Sequence, residues 1–156
     1  MKEIGIGVIG TAFMGKAHSI AYASAGTAFG GQLRPRLEMV CDQDPHIAET
    51  KRAEMGFARC TTDYMDVVND PKVDLISICV PNSVHKEIAI AALAAGKHVW
   101  CEKPMSTNLS DSQAMVDAAA ASDQKTIVGY NYIQNPLVHA ARDMINEGVI
   151  GDVTGF

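Results

Sequence analysis

The stretch Ile4-Gly5-Ile6-Gly7-Val8-Ile9-Gly10-Thr11-Ala12-Phe13-Met14-Gly15 decides the fold class. Its first half is an apolar run rich in β-branched residues, which predicts a strand buried on both faces. From Phe13 the pattern turns helical and predicts a helix to about Ala25. A strand, a glycine-bounded turn and a helix in that order are the setting of a dinucleotide fingerprint. The turn glycines allow a tight bend and close packing of helix on strand. The helix N-terminus offers N–H groups and partial positive charge to a diphosphate. Gly10, Thr11, Ala12, Phe13, Met14 and Gly15 are therefore candidate binding residues. Ala12 replaces the middle glycine of the pattern, so its methyl group fits only if the local φ is negative.

The rest of the chain repeats this alternation. Leu37–Cys41 predicts a second strand, and Asp44-Pro45 opens a helix that Gly56 closes. A short strand near 58–60 and a short helix over 64–69 follow, then an apolar strand over 74–80. An alanine-rich helix over 84–95 ends at Gly96, and His98–Cys101 is the next strand. Ser110-Asp111-Ser112-Gln113 has the form of a capping box opening a helix to about Ala121. A strand over 126–129 and a helix over 136–147, closed by Gly148, complete the order. Apolar strands alternating with helices predict an α/β, Rossmann-type doubly wound parallel sheet. Gly26 to Arg36 reads as one long loop, and Gly151 to Phe156 as the start of a new strand. The expected organisation is a dinucleotide-binding domain over 1–130. Residues 131–156 would be a linking helix and the first strand of a second domain that the chain otherwise lacks.

Composition narrows the function. The 156 residues carry a net charge of −5, which gives no basic patch for nucleic acid. No apolar run approaches the ~20 residues of a membrane-spanning helix. Met1-Lys2-Glu3-Ile4 runs directly into a strand without a leader pattern, so a cytoplasmic protein is expected. None of Cys41, Cys60, Cys79 and Cys101 lies in a CxxC pair, so neither zinc nor any other metal is expected. Reduced, structural cysteines fit this pattern.

Ligands of open parallel sheets bind at the carboxyl ends of the strands. Asp42 follows the second strand, where a carboxylate accepts hydrogen bonds from ribose hydroxyls and repels the extra phosphate of NADP. Asp44, directly before Pro45, is the better helix cap and leaves Asp42 for a ligand. Arg34 and Arg36 would favour NADP if their loop folded back; NAD is the expected cofactor. Val80-Pro81-Asn82-Ser83-Val84-His85 ends the fourth strand, Glu102-Lys103-Pro104 the fifth and Tyr130-Asn131-Tyr132 the sixth.

Gly10 to Gly15, Pro81-Asn82 with His85, and Ala95-Gly96-Lys97-His98-Val99 leading into Glu102-Lys103-Pro104 resemble the Gfo/Idh/MocA family. That family includes glucose-fructose oxidoreductase and inositol 2-dehydrogenase. The likeness runs over the whole chain, including Gly148-Val149-Ile150-Gly151-Asp152-Val153. It implies a first domain that binds NAD(P) and a second α+β domain with a large antiparallel sheet. That second domain would supply most of a sugar or polyol pocket, a catalytic Asp/His pair and the homo-oligomer contacts. Lys103 is the catalytic candidate, because a lysine beside the reacting hydroxyl orients it and stabilises developing negative charge. The bland alternative is a surface lysine paired with Glu102. Glu102 and Asn131 are expected to bracket the nicotinamide ribose, with Val80, Pro81 and Asn82 on its other side. His85 either faces the site or sits in the first turn of its helix. His18 is read as packing or capping, and His46, His98 and His139 carry no pattern. The implied activity is NAD-dependent dehydrogenation of a sugar, inositol or related polyol. Two alternatives stand beside it, an NAD-dependent glycoside hydrolase of the same family and a non-catalytic dinucleotide-sensing regulator.

Overall fold

Apolar runs bounded by local stop signals give short strands, and the helices between them include several opened by a side-chain cap, at Asp44, Asp63, Asn108 and Asn135. The computed structural model describes residues 2–155. In chain order the elements are β1 (Lys2–Ile9), α1 (Phe13–Phe29), β2 (Leu33–Cys41), α2 (Pro45–Met55), β3 (Arg59–Thr61), α3 (Tyr64–Asn69) and β4 (Leu75–Ile78). A 3-10 turn at Asn82–Val84 leads into α4 (His85–Ala94), then β5 (His98–Cys101), α5 (Leu109–Ala120) and β6 (Thr126–Val128). A second 3-10 turn, Asn131–Gln134, precedes α6 (Pro136–Asn146).

The six strands form one parallel sheet in the order β3-β2-β1-β4-β5-β6. Strand order reverses beside β1, which creates a crevice at the carboxyl ends of β1 and β4. Both faces are covered. One holds the larger apolar cluster, with Ile9, Met39, Ile76, Ile78, Ile88 and Met115. The other holds Ile6, Val8, Val40 and Phe57. In register, Val8 faces Ser77 and Ser77 faces Trp100. Polar and aromatic side chains thus enter the second face, which α1 covers with His18 and Tyr22.

Three sequence expectations need correction. The long loop over 26–36 is not there: α1 continues to Phe29 and ends at Gly30 in the left-handed region, φ 57°. β2 then begins at Leu33 and includes Pro35. A proline fits because β3 reaches only Met39–Cys41, so this part of β2 is an edge without a neighbour on that side. The α5 cap is Asn108, whose Oδ1 accepts the Asp111 N–H at 2.9 Å, and Ser110 is already helical. Residues 151–155 form no strand, and Phe156 lies outside the described residues. α6 carries no buried residue. Among the described residues, no helix is long and apolar enough to cross a membrane.

Candidate functional site

The sheet's hydrogen-bond ladder continues past the strand ends and fixes the rim. Gly10 N–H donates to Cys41 O at 2.9 Å, and Cys79 N–H donates to Ile9 O at 2.8 Å. Asp42 N–H donates to Thr61 O at 3.2 Å, Glu102 N–H to Ile78 O at 3.0 Å and Gly129 N–H to Cys101 O at 2.9 Å. Each candidate position therefore starts from a held backbone.

The turn after β1 requires its two outer glycines. Gly10 has φ 97°, and a Cβ there would lie 2.5 Å from Cys79 O. A Cβ on Gly15 would lie 1.9 Å from Gly10 O, so glycine is what lets α1 descend directly onto the turn. Ala12 is the N-cap of α1 with φ −67°, an ordinary conformation in which its methyl group is tolerated. It makes no side-chain cap, and the first turn contains no acidic residue. The N-terminal amides and the positive end of a long helix therefore face the rim without a side-chain anion. These features fit a diphosphate group.

Asp42 stands at the end of β2. Thr11 Oγ1 donates to its Oδ2, and its Oδ1 accepts the Asp44 N–H at 3.3 Å. Asp44 is the true cap of α2, accepting from His46 and Ile47 N–H at 2.8 and 3.2 Å. Asp42 borders a cleft of about 440 Å³, together with Gly10, Thr11, Ala12, Val80 and Pro81. Sequence reasoning anticipated these six. Among the other lining residues, it did not single out Gln43, Thr62, Asp63 and Ser83 as binding candidates. Each follows the carboxyl end of a strand, so the strand-end rule applied to β2, β3 and β4 is the signal that finds them.

The remaining candidates lie elsewhere. Phe13 is 83% exposed, Met14 is half-buried, and Gly15 is buried beneath the turn. Asn82 opens its 3-10 turn and Asn131 opens the other, where it is exposed. His85 does not face the cleft. Its ring is wholly buried, with Nε2 at 2.9 Å from Val80 O and Nδ1 at 3.1 Å from Pro104 O. It sits between the loop after β4 and the loop after β5; both neighbours are carbonyl oxygens, so a neutral ring, with its single N–H, donates to one of them.

Glu102 also turns inward rather than towards a ligand. Its Oε1 lies 3.0 Å from His18 Nε2, and its Oε2 accepts the Lys103 N–H at 3.3 Å. A Cβ on Gly129 would lie 2.5 Å from Oε1, so glycine there makes room for the carboxylate. The buried carboxylate helps burial push the nearby Cys79 and Cys101 thiols up to about 12, which keeps both protonated. Lys103 is therefore not the surface partner of Glu102. Its side chain is exposed and, among the described residues, its ammonium makes no ion pair or hydrogen bond. Among the described residues, no cluster of His, Cys, Asp or Glu is placed to hold a metal ion.

Comparison with known proteins places this geometry. A family model for an oxidoreductase family with an NAD-binding Rossmann fold matches residues 4–130. Levoglucosan dehydrogenase of Pseudarthrobacter phenanthrenivorans is 38% identical over 100% of this chain and 40% of its own length. An inositol 2-dehydrogenase/D-chiro-inositol 3-dehydrogenase of Lactiplantibacillus plantarum is 30% identical over 94% of this chain and 41% of its own length. A solved levoglucosan dehydrogenase in complex with NADH and levoglucosan superposes with a TM-score of 0.91 at 37% identity, covering 96% of this chain and 41% of that one. The chain thus spans about two fifths of the length of these relatives.

Proposed function

Since the chain belongs to the Gfo/Idh/MocA oxidoreductase family, with its NAD-binding Rossmann fold, we propose that it is the cofactor-binding part of a dehydrogenase. The reaction is hydride transfer between a hydroxyl of a sugar, inositol or related polyol and NAD. The observation that carries this reading is Lys103. It stands exposed at the end of β5, without an anionic partner among the described residues, on the same rim as the phosphate turn. Bound NAD supplies the hydride acceptor. The chain's own residues hold and orient. The α1 amides receive the diphosphate, and Asp42 accepts hydrogen bonds from the adenosine ribose. The Lys103 Nζ contacts the reacting hydroxyl and steadies negative charge developing on its oxygen. The division of the chain into a binding domain over 1–130 and a link over 131–156 belongs to the same proposal, as do a cytoplasmic setting and a homo-oligomer.

The test supplies the intact protein with NAD and a panel of cyclitols, anhydrosugars and aldoses, and follows reduced nicotinamide in solution. Stoichiometric release of NADH with one polyol is expected. Cleavage of a glycosidic bond with the cofactor retained and recycled would replace the dehydrogenase by a hydrolase.

Asp42 sets the cofactor preference. Asp42→Ala removes the charge that receives the ribose hydroxyls, a contact of about 1.5–3 kcal/mol, or roughly 10- to 100-fold in affinity. NADH binding is expected to weaken by that factor and NADPH binding to strengthen relative to it. Fluorescence titration of both compounds reads the result. An unchanged ratio would remove Asp42 from cofactor choice.

A further inference from the structure

A chain of polar side chains crosses the interior beneath α1 and ends on Glu102. Tyr22 Oη lies 2.7 Å from Ser77 Oγ, Ser77 Oγ lies 3.1 Å from His18 Nδ1, and His18 Nε2 lies 3.0 Å from Glu102 Oε1. The members come from α1, β4 and the residue that follows β5. Ser77 is fully buried, and His18 and Glu102 are nearly so, at 8% and 5% exposed. Nothing in the phosphate turn or the cleft uses them.

Proton direction follows from the carboxylate at one end. An ionised carboxylate only accepts, so His18 Nε2 is the donor to it. Nδ1 of a neutral ring is then an acceptor, which makes Ser77 its donor. Ser77 Oγ in turn receives the Tyr22 hydroxyl, and every polar atom of the chain is satisfied. Burial pushes Tyr22 up to about 12, so its phenol keeps the proton this order needs. Trp100 packs edge-on against His18 with ring centroids 4.9 Å apart, which opposes rotation of the imidazole. At the other end, Glu102 Oε2 accepts the Lys103 N–H. Among the described residues, no lysine or arginine ion-pairs with Glu102.

We propose that His18, oriented by Ser77 and Tyr22, is a positioning residue that locks the Glu102 carboxylate beneath the Lys103 amide. It thereby fixes the backbone from which the Lys103 side chain reaches the nicotinamide end of the cofactor. This rests on the dehydrogenase reading, which puts the nicotinamide at Lys103. The network acts on that half only, since Asp42 and the phosphate turn hold the other.

Two ligands separate the halves. ADP-ribose carries the adenosine and diphosphate without the nicotinamide, whereas NADH carries both. In the intact protein, His18→Leu is expected to weaken NADH binding by about tenfold, the equivalent of one hydrogen bond to a charged group, with ADP-ribose affected less than about twofold. His18→Gln retains an N–H for Glu102 and an oxygen for Ser77, and should recover NADH affinity to within about threefold of wild type. Ser77→Ala is the milder probe, with a loss of about threefold expected for NADH alone. In ligand-free protein, the ¹⁵N spectrum of His18 should show the proton on Nε2. The proposal fails if NADH and ADP-ribose weaken together, if glutamine does no better than leucine, or if His18 carries its proton on Nδ1. If His18→Leu does not fold, Ser77→Ala decides, and an unchanged NADH affinity there overturns the proposal. Wild-type protein that binds neither compound overturns the dinucleotide reading itself, and this proposal with it.

Discussion

In the intact protein, the proposed dehydrogenase role of Lys103 predicts that Lys103→Ala lowers turnover by about 10²- to 10⁴-fold, the range for a group that assists proton transfer in the transition state. The melting temperature should not move, because the side chain is exposed and makes no hydrogen bond or ion pair among the described residues. The contrast with Glu102 is instructive. The two are adjacent in sequence, yet one points out from the rim and the other is buried against His18. A surface lysine of no consequence would leave the rate intact. Turnover within about threefold of wild type would therefore take Lys103 out of the mechanism, since even one weak hydrogen bond is worth roughly that factor.

Gly15→Ala is the second large effect. The added methyl would meet the carbonyl oxygen of Gly10 at 1.9 Å, and neither partner is a side chain that can swing aside. Helix and turn must separate, at a cost of about 3 kcal/mol or more. For a chain of this size that corresponds to a fall in Tm of about 6–12 °C, with NADH binding lost as the amides withdraw from the diphosphate. Gly26 lies in the same helix and meets nothing within 4 Å where its Cβ would be. Gly26→Ala should therefore stabilise the protein by about 0.5–1 kcal/mol. Thermal melts of both variants check the pair, and a Gly15→Ala Tm matching that of wild type would refute the close-packing account.

Local signals were readable where one short stretch holds the whole instruction. Asp44-Pro45 at one end and Gly56 at the other fix α2 to the residue, and the β5 boundaries His98 and Cys101 coincide with their apolar run. The second strand's true start was hidden because Pro35 reads as a break. It is tolerated only because β3 is short, which is a property of another segment. Likewise Gly26 signals a stop, but the next turn of helix is closed by Gly30. Glycine spacing and strand-end positions picked out Gly10, Thr11, Ala12 and Asp42, which line one cleft. Of the two readings left open for His85 the structure shows the first turn of its helix, and it buries Glu102, since spacing tells which end of the sheet a residue occupies and not which way it turns. His18 was undervalued because its partners lie 59 and 84 residues away. A clue did exist. Ser77 interrupts an apolar strand buried on both faces, and a hydroxyl there must find a partner.

The His85 ring is buried between Val80 O and Pro104 O, with a ring nitrogen within hydrogen-bond distance of each. The loops after β4 and β5 thereby pack on one shared side chain in the interior. They cannot wander separately, so their spacing is set within the domain itself. If the cofactor binds where we propose, less ordering entropy is lost when it arrives.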